Sequence, residues 1–328
     1  MARRAIERAS FELRPSAPYS LARTAARFAR FRDAVDSFDG EVYARLLQLG
    51  PQPLLLRVRQ VAPPSRPRLA VELTGPSAGD EPARAAALEF AARALGTSHE
   101  LRAFYRALGG DPLLGPAMRR ERGLSIAGFG DAFEALVSAI LTQQVNLGFA
   151  FSIRSELAQS LGRRAQIDGR SWIAFPEAER LALEDPDSLR RFRLSGAKAR
   201  ALAVVARAFA SGELSDALLR SLDDAAVIER LTALHGVGRW TADTVLLRGL
   251  ARRDAFPGGD LGVVKHLAQG LLGRRGPASE AQMRAFAERW RPYRAYALVY
   301  AYAELATRLR SRRCACRRTS GARTTSRR

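Results

Sequence analysis

Residues 234–241 read Leu-His-Gly-Val-Gly-Arg-Trp-Thr, and Asp260 follows beyond a further apolar, helix-like stretch. One apolar helical face ends near Leu234 and another begins near Arg239, with Gly236 and Gly238 flanking Val237 between them. Glycine permits a tight turn with positive φ and lets backbone come close to a ligand. A helix that starts there offers unpaired N–H groups and a partial positive charge, a setting that suits a phosphate. Contacts of that kind fix position and read no base sequence. Gly236, Val237 and Gly238 are therefore a candidate DNA-phosphate anchor, with Arg239 as an adjoining phosphate contact. The same residues also fit an ordinary interhelical turn, and Asp260, read locally, fits a helix N-cap as well as a catalytic carboxylate.

Outward from this stretch the pattern is helical from about residue 111. Phe133, Leu136, Val137, Ile140 and Leu141 recur at the spacing of one helical face, and similar faces run over 202–209, 228–234 and 263–271. These faces can pack into an all-α domain over 111–310. The first 110 residues read as mixed α and β. Helices are expected over 19–31 and 83–95, and strands over 54–61 and 69–73, where Leu69, Val71 and Leu73 alternate with Ala70 and Glu72. Pro63-Pro64-Ser65-Arg66-Pro67 marks the turn between the strands, and Gly109-Gly110-Asp111-Pro112 the domain boundary. Residues 311–328 are rich in arginine, serine and threonine and carry no acid, so a disordered basic tail is expected there.

Lysine and arginine total 53 against 33 acids, a formal charge of +20, which favours a polyanionic partner through counterion release. Only Lys198 and Lys265 are lysines. No stretch approaches the roughly 20 apolar residues that span a bilayer, and the start lacks a signal-peptide core, so a cytoplasmic protein is expected. Two cysteines, Cys314 and Cys316, with His99, His235 and His266 scattered, make no metal-binding constellation.

The whole string Leu-His-Gly-Val-Gly-Arg-Trp-Thr-Ala-Asp resembles the helix-hairpin-helix of the DNA glycosylase superfamily that carries a glycine/proline-rich loop and a catalytic aspartate. Within it the chain is most similar to the 3-methyladenine DNA glycosylase II branch. Phe11-Glu12-Leu13-Arg14-Pro15 with Pro18-Tyr19, the segment 139–145 (Ala-Ile-Leu-Thr-Gln-Gln-Val), residues 188–201, and 290–297 (Trp-Arg-Pro-Tyr-Arg-Ala-Tyr-Ala) resemble further strings of that branch, in the same order. The chain departs from the pattern at His235, where the family usually has proline, and at Thr244, aromatic in some members. It departs again at Gly258-Gly259, where an acidic residue often accompanies the catalytic aspartate.

The resemblance implies a TATA-binding-protein-like α+β N-terminal domain followed by an all-α helix-hairpin-helix glycosylase domain. It implies Asp260 as the catalytic carboxylate, Gln143 and Gln144 as the DNA wedge, and Trp240 and Tyr302 as base-pocket aromatics. Tyr296 and Trp290 are assigned to packing, and Asp243 to the helix dipole of the first turn. Trp240 stands where bifunctional members have a nucleophilic lysine, so hydrolysis without strand cleavage is expected. The implied substrates are alkylated purines (3-methyladenine, 7-methylguanine) in duplex DNA, acted on by a monomer associated with the nucleoid. No cofactor is required, although the family's hairpin can hold a monovalent cation through backbone carbonyls. Two other readings stay open: a noncatalytic damage-binding protein, which has no need of Asp260, and a glycosylase for deaminated bases such as hypoxanthine, whose neutral leaving group calls for a donor to the base.

Overall fold

Leucine- and valine-bearing stretches of the N-terminal part form the centre of one antiparallel sheet, with more polar strands at its two edges. It is built from β1 (Glu7–Leu13), β2 (Asp36–Phe38), β3 (Val42–Gln48), β4 (Pro53–Gln60) and β5 (Leu69–Gly75), in the order β1-β5-β4-β3-β2. The computed structural model describes residues 6–31, 33–50 and 52–321, with side chains described as far as Arg308. Leu54, Leu56 and Val58 of β4 and Leu69, Val71 and Leu73 of β5 point to one face. There they meet Ala87, Phe90, Ala91 and Ala94 of the helix Glu81–Ala94. Leu55 of β4 and Leu46 of β3 point to the other face, against Ile167 of a small hairpin, β6 (Arg164–Ile167) and β7 (Arg170–Ile173), and Ala174 just beyond it. Both faces of β3 and β4 are thus covered, which explains apolar runs in place of clean alternation.

The strands expected at 54–61 and 69–73 are present, shifted by a residue or two. The helix expected over 19–31 is only Leu21–Ala25, capped by Ser20. Beyond it Phe28 is drawn into the sheet's core, 4.9 Å from the Tyr43 ring, and Phe31 stacks on Phe151. Burial of those rings overrides local helix propensity.

The remainder is mostly helical. The helices Ala132–Thr142, Leu147–Leu161, Gly196–Ala210, Asp224–Thr232, Arg239–Arg248 and Arg294–Gly321 surround one apolar core. Leu101 and Phe104, N-terminal to residue 110, pack into that same core, with Phe104 5.3 Å from both Tyr296 and Tyr300. Trp290 and Tyr296 are buried, as the sequence suggests. The last helix continues to Gly321 although no regular structure is expected from 311; once nucleated on a packed segment, a helix extends at little cost per residue. The rest of the expected tail, 322–328, lies outside the described residues.

A buried charge cluster joins the sheet to the helices. Arg45 of β3 donates to Asp36 at 3.1 Å and grips both oxygens of Glu134, which lies in the helix Ala132–Thr142. Arg154 of the helix Leu147–Leu161 pairs with Glu134, Asp33 and Asp36, and the Tyr43 hydroxyl donates to Asp36 at 2.6 Å. All five charged side chains are at most 4 % exposed.

Asp131 caps the same helix by accepting from the Glu134 amide at 2.7 Å. Burial, and next the charge of Glu134, raise its pKa to about 7. The unfolded value is near 4. Between these pH values the native chain holds a proton that the unfolded chain has lost, so stability falls as pH rises through this window and levels off above it. Asp131→Asn keeps a capping oxygen and removes the titration. Its Tm should exceed that of the wild type at about pH 8 and match it near pH 4, as read by thermal melts across pH; parallel profiles would contradict this.

Candidate active site

The hairpin is the helix Asp224–Thr232, a turn over 233–238, and the helix Arg239–Arg248. Val237 is buried as the knob of the turn, and its amide donates to the Leu234 carbonyl at 3.1 Å. Gly236 has φ +80, and a Cβ there would lie 2.5 Å from the Cβ of Ala201. Conformation and space both demand glycine at that position. Gly238 caps the second helix in extended conformation, and the space beside its Cα is open. The first N–H groups of a helix have no partner within it, so an anion can take that space.

Asp260 lies at the start of the segment Gly262–Leu267, whose turn is widened to π spacing. Its Oδ2 accepts from the Trp240 indole at 3.0 Å; its Oδ1 accepts from the Tyr302 hydroxyl at 3.0 Å and the Gly262 amide at 2.8 Å. Its carbonyl also receives the amides of Val263 and Val264, so the residue caps this helix while its side chain gathers three donors. A Cβ at position 262 would come 2.5 Å from the Tyr302 oxygen, so glycine is what lets the tyrosine approach. Burial, followed by the Asp260 charge, raises the Tyr302 pKa well above its ordinary value. The phenol therefore stays a donor across the physiological range.

Trp240 and Tyr302, expected as base-pocket aromatics, are thus brought together on the carboxylate as its hydrogen-bond donors. Trp240→Phe keeps an aromatic side chain, though a smaller one, and deletes one of the three donors. A hydrogen bond to a charged group is worth about 1.5–3 kcal/mol, so base-release rates under single turnover should fall about 10- to 100-fold. An unchanged rate would show that the indole N–H is dispensable.

The two glutamines of the expected wedge part company. Gln143 turns towards the hairpin, its Nε2 donating to the Gly236 carbonyl at 3.1 Å and to the Thr241 hydroxyl at 3.0 Å. Gln144 is exposed and has φ +54. Lys198 donates to the Leu141 carbonyl at 2.9 Å, closing the end of the helix that precedes them. Arg239 is exposed, with its Nε 3.2 Å from Asp243. Asp243 is buried and also pairs with Arg284 at 2.6 Å, a link between distant segments that no local pattern signals.

The model of the "HhH-GPD superfamily base excision DNA repair protein" family matches residues 137–292, a span that holds the hairpin, both glutamines and Asp260. DNA-3-methyladenine glycosylase 2 of Escherichia coli (strain K12) is 33% identical over 273 residues, 83% of this chain and 89% of that protein. The chain belongs to the HhH-GPD superfamily of base excision DNA repair proteins. Within that superfamily it is similar to the 3-methyladenine glycosylase II branch. A second relative, the DNA-3-methyladenine glycosylase of Bacillus subtilis (strain 168), is 32% identical over 202 residues, 62% of this chain and 66% of that protein. The fold is shared with the 3-methyladenine DNA-glycosylase of Archaeoglobus fulgidus. That match has TM-score 0.73 and 22% identity, and covers 89% of this chain and 96% of that one.

Proposed function

We propose that this chain is a monofunctional DNA glycosylase of base excision repair, hydrolysing the N-glycosidic bond of alkylated purines such as 3-methyladenine and 7-methylguanine in duplex DNA. The observation that carries the reading is the Asp260 carboxylate, held by Trp240, Tyr302 and Gly262. Departure of the base leaves positive charge on the sugar, and a fixed carboxylate stabilises it. The same group can orient or deprotonate the attacking water. A base made cationic by alkylation leaves without protonation, so the second carboxylic acid of ordinary glycoside hydrolysis is not needed. The names of the two bacterial relatives point to the same substrate class.

The target nucleotide must leave the stack, at a cost of a few kcal/mol. Gln144, exposed, takes the wedge role, while Gln143 braces the hairpin from behind. Gly236 to Gly238 and Arg239 take the phosphates. Trp240 and Tyr302 add π faces, which attract a cationic base by roughly 0.5–2 kcal/mol. Trp240 has no amine, so no Schiff base forms there.

No cofactor takes part in this scheme. The hairpin carbonyls are hard oxygen donors that suit a monovalent cation, although that of Gly236 already accepts from Gln143. The antiparallel sheet with its packed helix fits a TATA-binding-protein-like N-terminal domain over 1–110, ahead of the glycosylase domain over 111–310. A monomer acting at the nucleoid in the cytoplasm completes the reading; no helix of the described residues is long and apolar enough to cross a membrane.

The test is release of free base from duplexes carrying 7-methylguanine or hypoxanthine at one site. Faster release of the cationic base supports the alkylated-purine assignment, and preference for hypoxanthine overturns it.

A further inference from the structure

Gly258 and Gly259 lie directly before Asp260, in a strap with little room for side chains. A Cβ on Gly258 would lie 2.7 Å from Cγ and 3.1 Å from Nε of Arg284; one on Gly259 would lie 2.7 Å from Glu280 Oε2. The side-chain space beside this strap is already filled by two residues one turn apart on the helix Glu280–Ala287.

Arg284 is the centre of the arrangement. Its Nε donates to Glu280 at 2.8 Å, its Nη2 to the buried Asp243 at 2.6 Å, and its Nη1 to the Phe256 carbonyl at 3.0 Å. The other oxygen of Asp243 accepts from Arg239, beside the hairpin turn. The remaining backbone bonds of the strap are short-range turns, Gly258 to Phe256 and Asp260 to Pro257. One guanidinium therefore connects the Phe256–Gly259 strap both to the helix that starts at the phosphate anchor and to the helix Glu280–Ala287.

We propose that Arg284 is a positioning residue for Asp260: clamped by Asp243 and Glu280, it fixes the strap that carries the carboxylate and sets its distance from the hairpin. This rests on Asp260 as the catalytic group. A small misplacement of a reacting group, about 1 Å, can cost about 100-fold in rate, which is the effect a slack strap should have. Gly258 follows from the clamp, since a Cβ there meets the stem of Arg284, whereas the exposed Glu280 carboxylate beside Gly259 can swing aside.

The experiment compares single-turnover base release, DNA affinity and Tm for wild type, Asp260→Asn, Arg284→Ala, Arg284→Lys and Gly258→Ala. The expected results are a release rate lowered about 10- to 100-fold in Arg284→Ala, with DNA affinity nearly unchanged, and partial recovery in Arg284→Lys. Gly258→Ala should slow release, because its Cβ would press on Cγ and Nε in the stem of Arg284. A wild-type rate in Arg284→Ala, or a rate that falls only together with Tm and DNA affinity, overturns the clamp while Asp260→Asn still tests the carboxylate. Equal release by Asp260→Asn and wild type overturns the reading of Asp260, and the clamp with it.

Discussion

Asp260→Asn should bind damaged duplex about as tightly as the wild type yet release base about 100- to 1,000-fold more slowly, the range seen when one electrostatic stabiliser is removed from an active site. The amide keeps the shape of the carboxylate and loses its charge, so positive charge developing on the sugar goes unopposed. It also carries one oxygen and one NH2 group where three donors converge. If the oxygen stays with Tyr302 and Gly262, the NH2 faces the Trp240 N–H, and that pair repels. Rapid-quench measurement of free base, alongside fluorescence anisotropy with the same duplex, separates chemistry from binding. A rate within threefold of wild type would move the chemistry to another group.

Glu134→Ala should cost about 3–5 kcal/mol of folding stability, the range for removing one partner of a buried ion pair. Glu134, like Asp36, pairs with both Arg45 and Arg154, and it engages both of its oxygens in linking β3 of the sheet to two helices. Its removal leaves two guanidiniums to share Asp33 and Asp36, with two fewer carboxylate oxygens between them. Denaturant unfolding followed by far-UV circular dichroism gives the difference as a lower midpoint with a similar slope. A change below about 1 kcal/mol, as for a surface pair, would mean that the two aspartates suffice.

What the sequence made legible follows the range of the signals. The hairpin could be read because glycine spacing and two apolar helical faces lie within some 25 residues; Asp260, which locally reads as a helix N-cap, was singled out by the family resemblance. β4 and β5 were readable from apolar runs separated by prolines. β1 was not read as a strand: Ala9, Phe11 and Leu13 do alternate with Arg8, Ser10 and Glu12, but on an edge strand that stripe is short and only half-buried. β3, whose apolar and charged side chains are both buried, has Arg45 in the middle of its run, which local reading takes for a solvated position.

The donors on Asp260 come from residues 20 positions earlier, 42 positions later and two positions on. Only the first two were chosen in advance, and for their rings rather than for their N–H and O–H groups. Gln143 and Gln144 look alike in sequence, but the backbone leaves the helix at Gln143 and turns to φ +54 at Gln144, with one side chain on the hairpin and the other exposed. Arg284 lies 41 residues from Asp243, a separation at which no periodicity operates.

The most direct test of the whole account is a single-turnover reaction with a duplex carrying one 7-methylguanine, analysed at once for free base and for strand integrity. The account predicts free 7-methylguanine, a strand that stays whole until alkali cleaves the abasic site, and no product trapped by borohydride. Tight binding without release, or a nick and a borohydride-trapped adduct without alkali, would contradict it.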